Sequence, residues 1–269
     1  MAPDIRSLTP AELAAFQQDG YAIAHRLFTQ HELDGLMQAL QALYAQRQVP
    51  GCFEAIPVDE ATDPLDAYPR MMHPHRVSET AMHWMLNPRL EPILRALLGE
   101  TPLAAQSMFY WKPPGGRGQA LHQDNYYLRV RPATCLAAWL AIDSVDRENG
   151  GLFVVPGSHK LDVFCPEQAD LSVSFAGEFV PPPKGLAEMP VDLDPGDVLF
   201  FGGSLIHGSQ PNHSADRFRR SFICHYVGVS AQEISWYYQP LYRFDGAEAA
   251  IAEASGGGPC GDLEPEGPH

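Results

Sequence analysis

The residues best suited to chemistry are His122 and Asp124, which flank Gln123. On an extended strand, residues two apart project from the same face, so this imidazole and this carboxylate would point the same way. A mixed nitrogen and oxygen donor pair suits a borderline divalent metal such as Fe(II), and one more histidine would complete a facial set of three ligands. The pair alone is weak evidence, because a strand-end histidine beside a solvated aspartate has the same spacing.

A candidate for the third ligand is His207, which follows a pattern typical of a turn and a buried strand. Pro195 and Gly196 favour the turn, and the apolar run Val198–Phe201 leads toward the histidine. The chain between His122 and His207 is long enough for several strands. The two histidines are therefore expected to meet in the interior of a β structure.

A basic run, Arg217-Phe218-Arg219-Arg220, enters a strand that is predicted to be buried. A buried guanidinium needs a carboxylate partner, and its planar fork suits one that binds through both oxygens. A keto-acid cosubstrate with a free distal carboxylate would supply that partner. The residues together indicate a metal site that works with an organic acid.

The composition argues against several other classes of function. With 33 acidic and 18 basic residues the net charge is −15, which disfavours nucleic acid and anionic membranes as partners. No apolar run reaches about 18 residues and the chain start is not basic and apolar, so neither a transmembrane helix nor a signal peptide is expected. The five cysteines are scattered, which argues against a disulfide framework and favours the reducing cytoplasm. We expect a cytoplasmic monomer or homodimer that acts on a small molecule.

The elements that must position these residues change in character along the chain. Capping boxes at Thr9 and Thr29 and the pair Asn87-Pro88 each predict the start of a helix in the first hundred residues. From residue 101 the runs are short and rich in β-branched and aromatic residues, as in an antiparallel sandwich or barrel. The predicted strands are Gln106–Trp111, Cys135–Ile142, Leu152–Val155, Val191–Leu193, Val198–Phe201 and Ser221–Val229.

These elements predict a single domain over residues 1–245, with a helical part over 1–100 and a β core over 101–230. The segment 246–269 contains consecutive glycines followed by acidic residues and prolines, so we expect a flexible tail. The stretch 50–77 is irregular and lies between two predicted helices. Long loops of this kind are often functional, and this one is expected to form a mobile lid and part of the substrate pocket.

Beyond the metal-binding pattern, a series of motifs occurs in the order found in one known family. They are Lys112-Pro113-Pro114-Gly115, His122-Gln123-Asp124-Asn125-Tyr126-Tyr127, Glu148-Asn149-Gly150-Gly151, Pro156-Gly157-Ser158-His159-Lys160, Gly196-Asp197 and His207-Gly208-Ser209, followed by Asn212 and the arginine run. In this combination the chain resembles the phytanoyl-CoA dioxygenase (PhyH-like) family of Fe(II)/2-oxoglutarate oxygenases. The resemblance implies a mostly β fold with flanking helices, built on a double-stranded β-helix core of the jelly-roll, cupin-like kind.

The same resemblance implies roles for individual residues. The iron ligands and catalytic residues would be His122, Asp124 and His207. The arginine that binds 2-oxoglutarate would be Arg219, with Arg220 as the alternative, because a register shift of one residue exchanges the two faces of a strand. The other candidates for the 2-oxoglutarate pocket are Gln106, Ser221 and Trp139. The candidates for substrate contact come instead from the irregular stretch and from the aromatic residues of the chain, and they are His73, Arg76, Tyr110, Tyr126 and Trp236. For each of these, packing in the core is the alternative.

The implied activity is that of a dioxygenase that uses Fe(II), O₂ and 2-oxoglutarate as cosubstrate. It would hydroxylate an unactivated C–H bond of a small organic molecule and release succinate and CO₂. Halogenating relatives lack the ligand carboxylate, so the presence of Asp124 favours oxygen chemistry. The alternative is a cupin-like isomerase or a non-enzymatic metal-binding or ligand-binding protein, neither of which would need the buried arginine.

Overall fold

A computed structural model describes residues 7–255 and 258–261 of the chain. The helices are α1 Pro10–Asp19, α2 Gln30–Tyr44, α3 Pro64–Ala67, α4 Glu79–Met85, α5 Leu90–Leu98 and α6 Asp124–Leu128. The strands are β1 Tyr21–Ala24, β2 Gln48–Val49, β3 Phe53–Glu54, β4 Met71–Met72, β5 Pro102–Tyr110, β6 Gln119–His122, β7 Leu136–Ala141, β8 Leu152–Val154, β9 Glu167–Gln168, β10 Glu178–Phe179, β11 Met189–Val191, β12 Val198–Gly202, β13 His207–Ser209, β14 Ser221–Gly228, β15 Glu233–Ile234, β16 Leu241–Tyr242, β17 Glu248–Ala249 and β18 Ala252–Glu253. None of the described helices is long and apolar enough to cross a membrane.

The helices begin where the sequence provides hydrogen bonds to free N–H groups. At α1 and α2 the predicted capping boxes are present, with Thr9 and Thr29 each bonded reciprocally to the glutamate three residues later. The third predicted helix, α5, begins at Leu90 rather than at Asn87, because the Asn87 side chain accepts the N–H of Arg89 and holds a turn before the helix. Helices α3, α4 and α6 were not predicted.

Two antiparallel sheets form the core. The larger has the strand order β1-β12-β7-β14-β5-β16-β17, with β4 also paired to β5, and the smaller has the order β11-β8-β13-β6. Side chains such as Met108, Trp139 and Ile223 from the larger sheet pack with Leu152 and Val154 from the smaller one. This arrangement is the double-stranded β-helix that the resemblance implied, and it is an open sandwich of two sheets rather than a closed barrel.

The outer face of the larger sheet is covered by the N-terminal helices. Leu36 and Leu40 of α2 and Ile93 of α5 share a core with Phe109 and Phe222 of the sheet. Strand β14 is consequently buried along its whole length. Its odd-numbered residues from 221 to 225 face the space between the sheets, whereas Phe222 and its even-numbered neighbours face the helices.

The cysteines and the tail differ from the expectation. Cys165 and Cys260 form one disulfide, which the scattered cysteines did not lead us to expect, whereas Cys52, Cys135 and Cys224 are free. In the segment expected to be a flexible tail, β17 pairs with β16 and β18 pairs with β15, so these residues lie against the domain. Residues 256–257 and 262–269 of that segment lie outside the described residues.

Candidate active site

The three predicted metal ligands come together at the ends of two neighbouring strands. His122 ends β6, His207 begins β13, and the two residues are paired directly across the smaller sheet. Asp124 was predicted to lie on the same strand as His122, but it begins α6 instead. It reaches the same place because Gln123 between the ligands is extended, with φ −125° and ψ 125°.

The side chains of these residues are arranged as a ligand set. One ligand atom from each lies within 4.8 Å of the others, and all three residues are buried. Asp124 Oδ1 is 3.6 Å from His122 Nε2 and 3.5 Å from His207 Nε2. This mixture of two imidazoles and one carboxylate is the donor set of non-haem Fe(II) sites.

Both imidazoles are held in the tautomer that binds metals. His122 Nδ1 is 2.8 Å from the carbonyl oxygen of Ala120, and His207 Nδ1 is 3.0 Å from that of Leu205. Because a carbonyl can only accept, each Nδ1 carries the proton and each Nε2 offers its lone pair to the centre of the site. Burial lowers the pKa of His207 to about 4, so this ring is neutral at physiological pH.

Two further residues support the ligands: His225, which the sequence offered only as a secondary candidate, and Gln123. His225 on β14 places Nε2 3.1 Å from Asp124 Oδ2, which leaves Oδ1 directed at the two histidines. The amide of Gln123 donates to the carbonyl of Ser204 and accepts the N–H of Phe164, which anchors the backbone between the ligands. The only sequence signal for His225 was its even spacing from Arg219, which placed both on one face of the strand.

A cavity connects the ligand set to Arg219, and its walls include Tyr110, Trp139 and Ile223. We call it the iron cavity. Arg219 is 2% exposed; it donates to the Ser221 hydroxyl at 2.8 Å and its Cζ lies 5.3 Å from the centre of the Trp139 ring. Burial lowers the pKa of Arg219 to about 10, so it remains charged at neutral pH. No carboxylate among the described residues contacts it, so an anionic ligand would neutralise this charge.

The neighbouring arginine is directed elsewhere. Arg220 makes a two-point ion pair with Asp143, with Nε to Oδ2 at 2.8 Å and Nη2 to Oδ1 at 2.6 Å. Its charge is therefore already neutralised on the other side of the strand. Of the two alternatives that the sequence left open, the geometry favours Arg219 as the residue that faces a ligand.

The remaining candidates for the 2-oxoglutarate pocket lie close to one another. Ser221 and Trp139 both contact the Arg219 side chain, as described above. Gln106 is fully buried and is paired with His225 across β5 and β14, but it does not line the iron cavity. A residue without a predicted role, Lys112, is buried behind Arg219, where its Nζ contacts Ser209 Oγ at 2.7 Å and two backbone carbonyls.

The candidates for substrate contact do not form one group. Tyr110 lines the iron cavity, and the Tyr126 ring packs on that of Tyr127, which is 6.1 Å from the His122 ring. His73 is buried beside His75 and Tyr238. Neither Arg76 nor Trp236 lines the iron cavity: Arg76 donates to the carbonyls of Tyr237 and Gln239, and Trp236 is 58% exposed.

Comparison with known proteins gives consistent matches. The family described as "Phytanoyl-CoA dioxygenase (PhyH)" matches residues 16–221. A mouse phytanoyl-CoA dioxygenase domain-containing protein 1 is 24% identical, with 81% of this chain and 89% of that protein aligned. The peroxisomal phytanoyl-CoA dioxygenase of Bos taurus is 30% identical, but the alignment covers 55% of this chain and 46% of that protein, so the chain spans less than half of its length.

Among solved structures, the epimerase SnoN in complex with Fe³⁺, alpha-ketoglutarate and nogalamycin RO superposes with a TM-score of 0.66. The identity is 22%, and the match covers 82% of this chain and 84% of that one. At this level of identity the likeness establishes a shared fold.

Proposed function

This chain belongs to the phytanoyl-CoA dioxygenase family of Fe(II)- and 2-oxoglutarate-dependent oxygenases, and we propose that it hydroxylates an unactivated C–H bond of a small organic molecule. Succinate and CO₂ would be released from the cosubstrate. The observation that carries the proposal is the combination of a buried two-histidine, one-carboxylate set with a buried, unneutralised Arg219 in one cavity.

The residues present fit the iron. His122, Asp124 and His207 would hold it through Nε2, Oδ1 and Nε2, the atoms that converge in the site. Bound Fe(II) would supply the binding and reductive activation of O₂, which no side chain can provide. The retained carboxylate of Asp124 supports oxygen transfer rather than halogenation.

The residues also fit 2-oxoglutarate. Arg219 would bind the distal carboxylate through its planar fork, with the Ser221 hydroxyl as a second donor. The Trp139 ring, stacked against the guanidinium, would keep water away from this ion pair and so strengthen it. His225 would keep Asp124 in one orientation while the cosubstrate binds beside it.

The proposal is tested in two steps. Addition of 2-oxoglutarate to the Fe(II)-loaded protein without oxygen should produce a weak visible charge-transfer band, which a cupin-like protein that does not bind 2-oxoglutarate would not give. With a substrate and ¹⁸O₂, the product should gain one oxygen atom that carries the label. A product of unchanged mass, or one that has lost two hydrogens, would contradict hydroxylation while leaving the cosubstrate assignment intact.

Location and assembly are also proposals. We propose a cytoplasmic monomer or homodimer. The free, buried thiols of Cys52, Cys135 and Cys224 are compatible with a reducing compartment. The Cys165–Cys260 disulfide is more typical of an oxidising compartment. Alkylation of thiols in intact cells, followed by mass spectrometry, would measure whether this pair is reduced there. Sedimentation analysis would give the number of chains in the particle.

A further inference from the structure

A second arginine near the iron cavity, Arg70, has no role in the function proposed above. It directly precedes β4, which pairs with β5 so that Met71 is opposite Phe109 and Met72 is opposite Met108. Continued by one residue, this register sets Arg70 opposite Tyr110, on the side of the sheet that carries Met72 and Met108. Arg70 therefore emerges on the side of the sheet that faces the iron cavity.

Tyr110 forms a wall between two spaces. One side borders the iron cavity, and the other borders a second cavity of about 200 Å³ that is lined by Arg70, Tyr68 and Phe175. We call this second space the outer cavity. Tyr110 is also close enough to Arg219 to affect its pKa. One phenol ring thus separates two guanidinium groups.

The charge of Arg70 is not neutralised by the protein. Its Nη1 donates to the Tyr110 hydroxyl at 3.3 Å, and its Cζ lies 5.8 Å from the centre of the Tyr110 ring and 5.1 Å from that of Phe175. No carboxylate in the described part of the chain contacts it. Burial lowers the pKa of Arg70, the phenols of Tyr110, Tyr127 and Tyr238 raise it, and the net change is a rise, so the guanidinium stays charged.

The other arginine in the outer cavity provides an internal comparison. Arg117 pairs with Asp63, with Nη2 to Oδ2 at 2.6 Å, and donates to the carbonyls of Leu171 and Ser174. Its charge is satisfied, and its contacts tie the start of α3 to the loop that carries Phe175. Arg117 therefore builds the outer cavity. Lys112 and Asp66 also line it, but the Lys112 ammonium is held by the Ser209 hydroxyl and two backbone carbonyls, and Asp66 makes no ion pair with Arg70 in the described part of the chain. The Arg70 guanidinium is therefore left for a ligand.

We propose that Arg70 anchors the primary substrate through a carboxylate, so that the enzyme acts on small organic acids. This inference rests on the proposed function and specifies its substrate class. The planar guanidinium matches a carboxylate through two hydrogen bonds, and Phe175 and Tyr110 offer aromatic surface to the apolar part of the acid. The Tyr127 ring lies edge-on to the His122 ring, with 6.1 Å between the ring centres, and its phenol is near enough to Arg70 to raise the pKa of that guanidinium, so Arg70 and the predicted iron ligand share Tyr127 as a neighbour.

The test uses matched pairs of carboxylic acids and their primary amides, from butyrate and butyramide to 3-phenylpropionate and 3-phenylpropionamide. Each compound is added without oxygen to the full-length protein loaded with Fe(II) and 2-oxoglutarate. Paramagnetic relaxation of the compound's protons reports binding near the iron and yields a Kd. At least one acid should bind more tightly than its amide, and Arg70→Met should weaken that acid about ten-fold or more while leaving the amide unchanged.

Two further variants assign the effect. Arg70→Lys keeps the charge without the fork and should lose less affinity than Arg70→Met. Arg76→Met removes a guanidinium from the same segment but outside both cavities, and should bind the acid like the parent protein. The proposal would be overturned if no acid bound more tightly than its amide. It would also be overturned if the affinity for the acid did not change in Arg70→Met.

The cosubstrate is measured in parallel, because it is itself an organic acid. Arg70→Met should leave the Kd of 2-oxoglutarate within about two-fold; a loss as large as that for the acids would assign Arg70 to the cosubstrate and overturn its role in substrate binding. Absence of the charge-transfer band in the parent protein would overturn both the proposed function and this inference. A normal band without any preference for acids would overturn the inference alone.

Discussion

The replacement of Arg219 by Met is expected to weaken 2-oxoglutarate binding strongly while leaving the iron content unchanged. Methionine has a similar length but no charge, so the distal carboxylate would face Trp139 and Ile223 and would lose the guanidinium, with the Ser221 hydroxyl remaining as a donor. Arg219 itself contacts none of the three metal ligands. The site should therefore hold iron as before and lose only affinity for the cosubstrate.

The expected size of this effect follows from the burial of Arg219. Truncation of one partner of a buried, hydrogen-bonded charge pair costs about 2–5 kcal/mol. Since about 1.4 kcal/mol is a factor of ten in Kd, this range is about 30-fold to about 4,000-fold. With Arg219 only 2% exposed, water has little access to replace it, so we expect a loss of about 100-fold or more.

Arg220→Met is the matched control. Its ion pair with Asp143 is partly exposed, with 30% and 20% of the two side chains accessible, and pairs of this kind contribute about 1 kcal/mol or less to stability. Because Arg220 faces Asp143 and does not line the iron cavity, the Kd of 2-oxoglutarate should change by less than about three-fold in this variant. Both Kd values are measured by anaerobic titration of the charge-transfer band, with calorimetry for the weaker variant.

Two results would refute this reasoning. A larger loss in Arg220→Met than in Arg219→Met would show that the register of β14 is displaced by one residue. An unchanged Kd in both variants would mean that the distal carboxylate is bound elsewhere, and the argument from the unneutralised guanidinium would fail.

Three further predictions concern the metal and the pH dependence of stability. His122→Ala, Asp124→Ala and His207→Ala should each lose tightly bound iron, measured by elemental analysis of purified protein; full iron content in all three would remove the ligand assignment. His225→Phe should weaken iron about 10- to 100-fold through loss of the Asp124 contact; an unchanged affinity in a folded protein would mean that this contact is only packing. Burial lowers the pKa values of His73 and His75 to about 3 from the 6.5 of a free side chain. Between pH 3 and pH 6.5 the unfolded chain therefore binds up to two more protons than the folded chain. The free energy of unfolding should therefore fall as the pH falls from 6.5, by up to about 2.7 kcal/mol per pH unit for the two groups together. The double variant His73→Gln/His75→Gln should show a shallower slope in urea unfolding between about pH 4.5 and 7; parallel slopes would indicate that these histidines are protonated in the folded state.

Much of the fold follows from patterns that are local in the chain. The capping boxes at Thr9 and Thr29 place two helices correctly, because the groups that bond there are three residues apart. The six predicted strands lie within a few residues of their predicted positions for a similar reason: alternation and turn residues act over short distances. Strand β1, which lies in the part expected to be helical, was not predicted. The start of α5 was misplaced because a side-chain contact of Asn87 competed with the helix.

The metal ligands were also accessible from the sequence. His122 and Asp124 are two residues apart, so their common direction is a property of extended backbone at Gln123 and requires no knowledge of the rest of the molecule. His207 follows a turn and strand pattern of its own. The motifs around all three carried the family resemblance, which supplied the cosubstrate.

Only the tertiary structure decided what depends on register and on distant partners. Arg219 and Arg220 are equivalent in the sequence, and they differ because the chain entering β14 turns one toward the iron cavity and the other toward Asp143. The support of Asp124 by His225 joins residues 101 positions apart, and the disulfide joins residues 95 apart. Arg70 stands out because no carboxylate of residues 7–255 and 258–261 forms an ion pair with it, and the neutralisation of a charge depends on every segment that folds around it. Spacing along a chain determines which way side chains point, but what they meet is determined by packing.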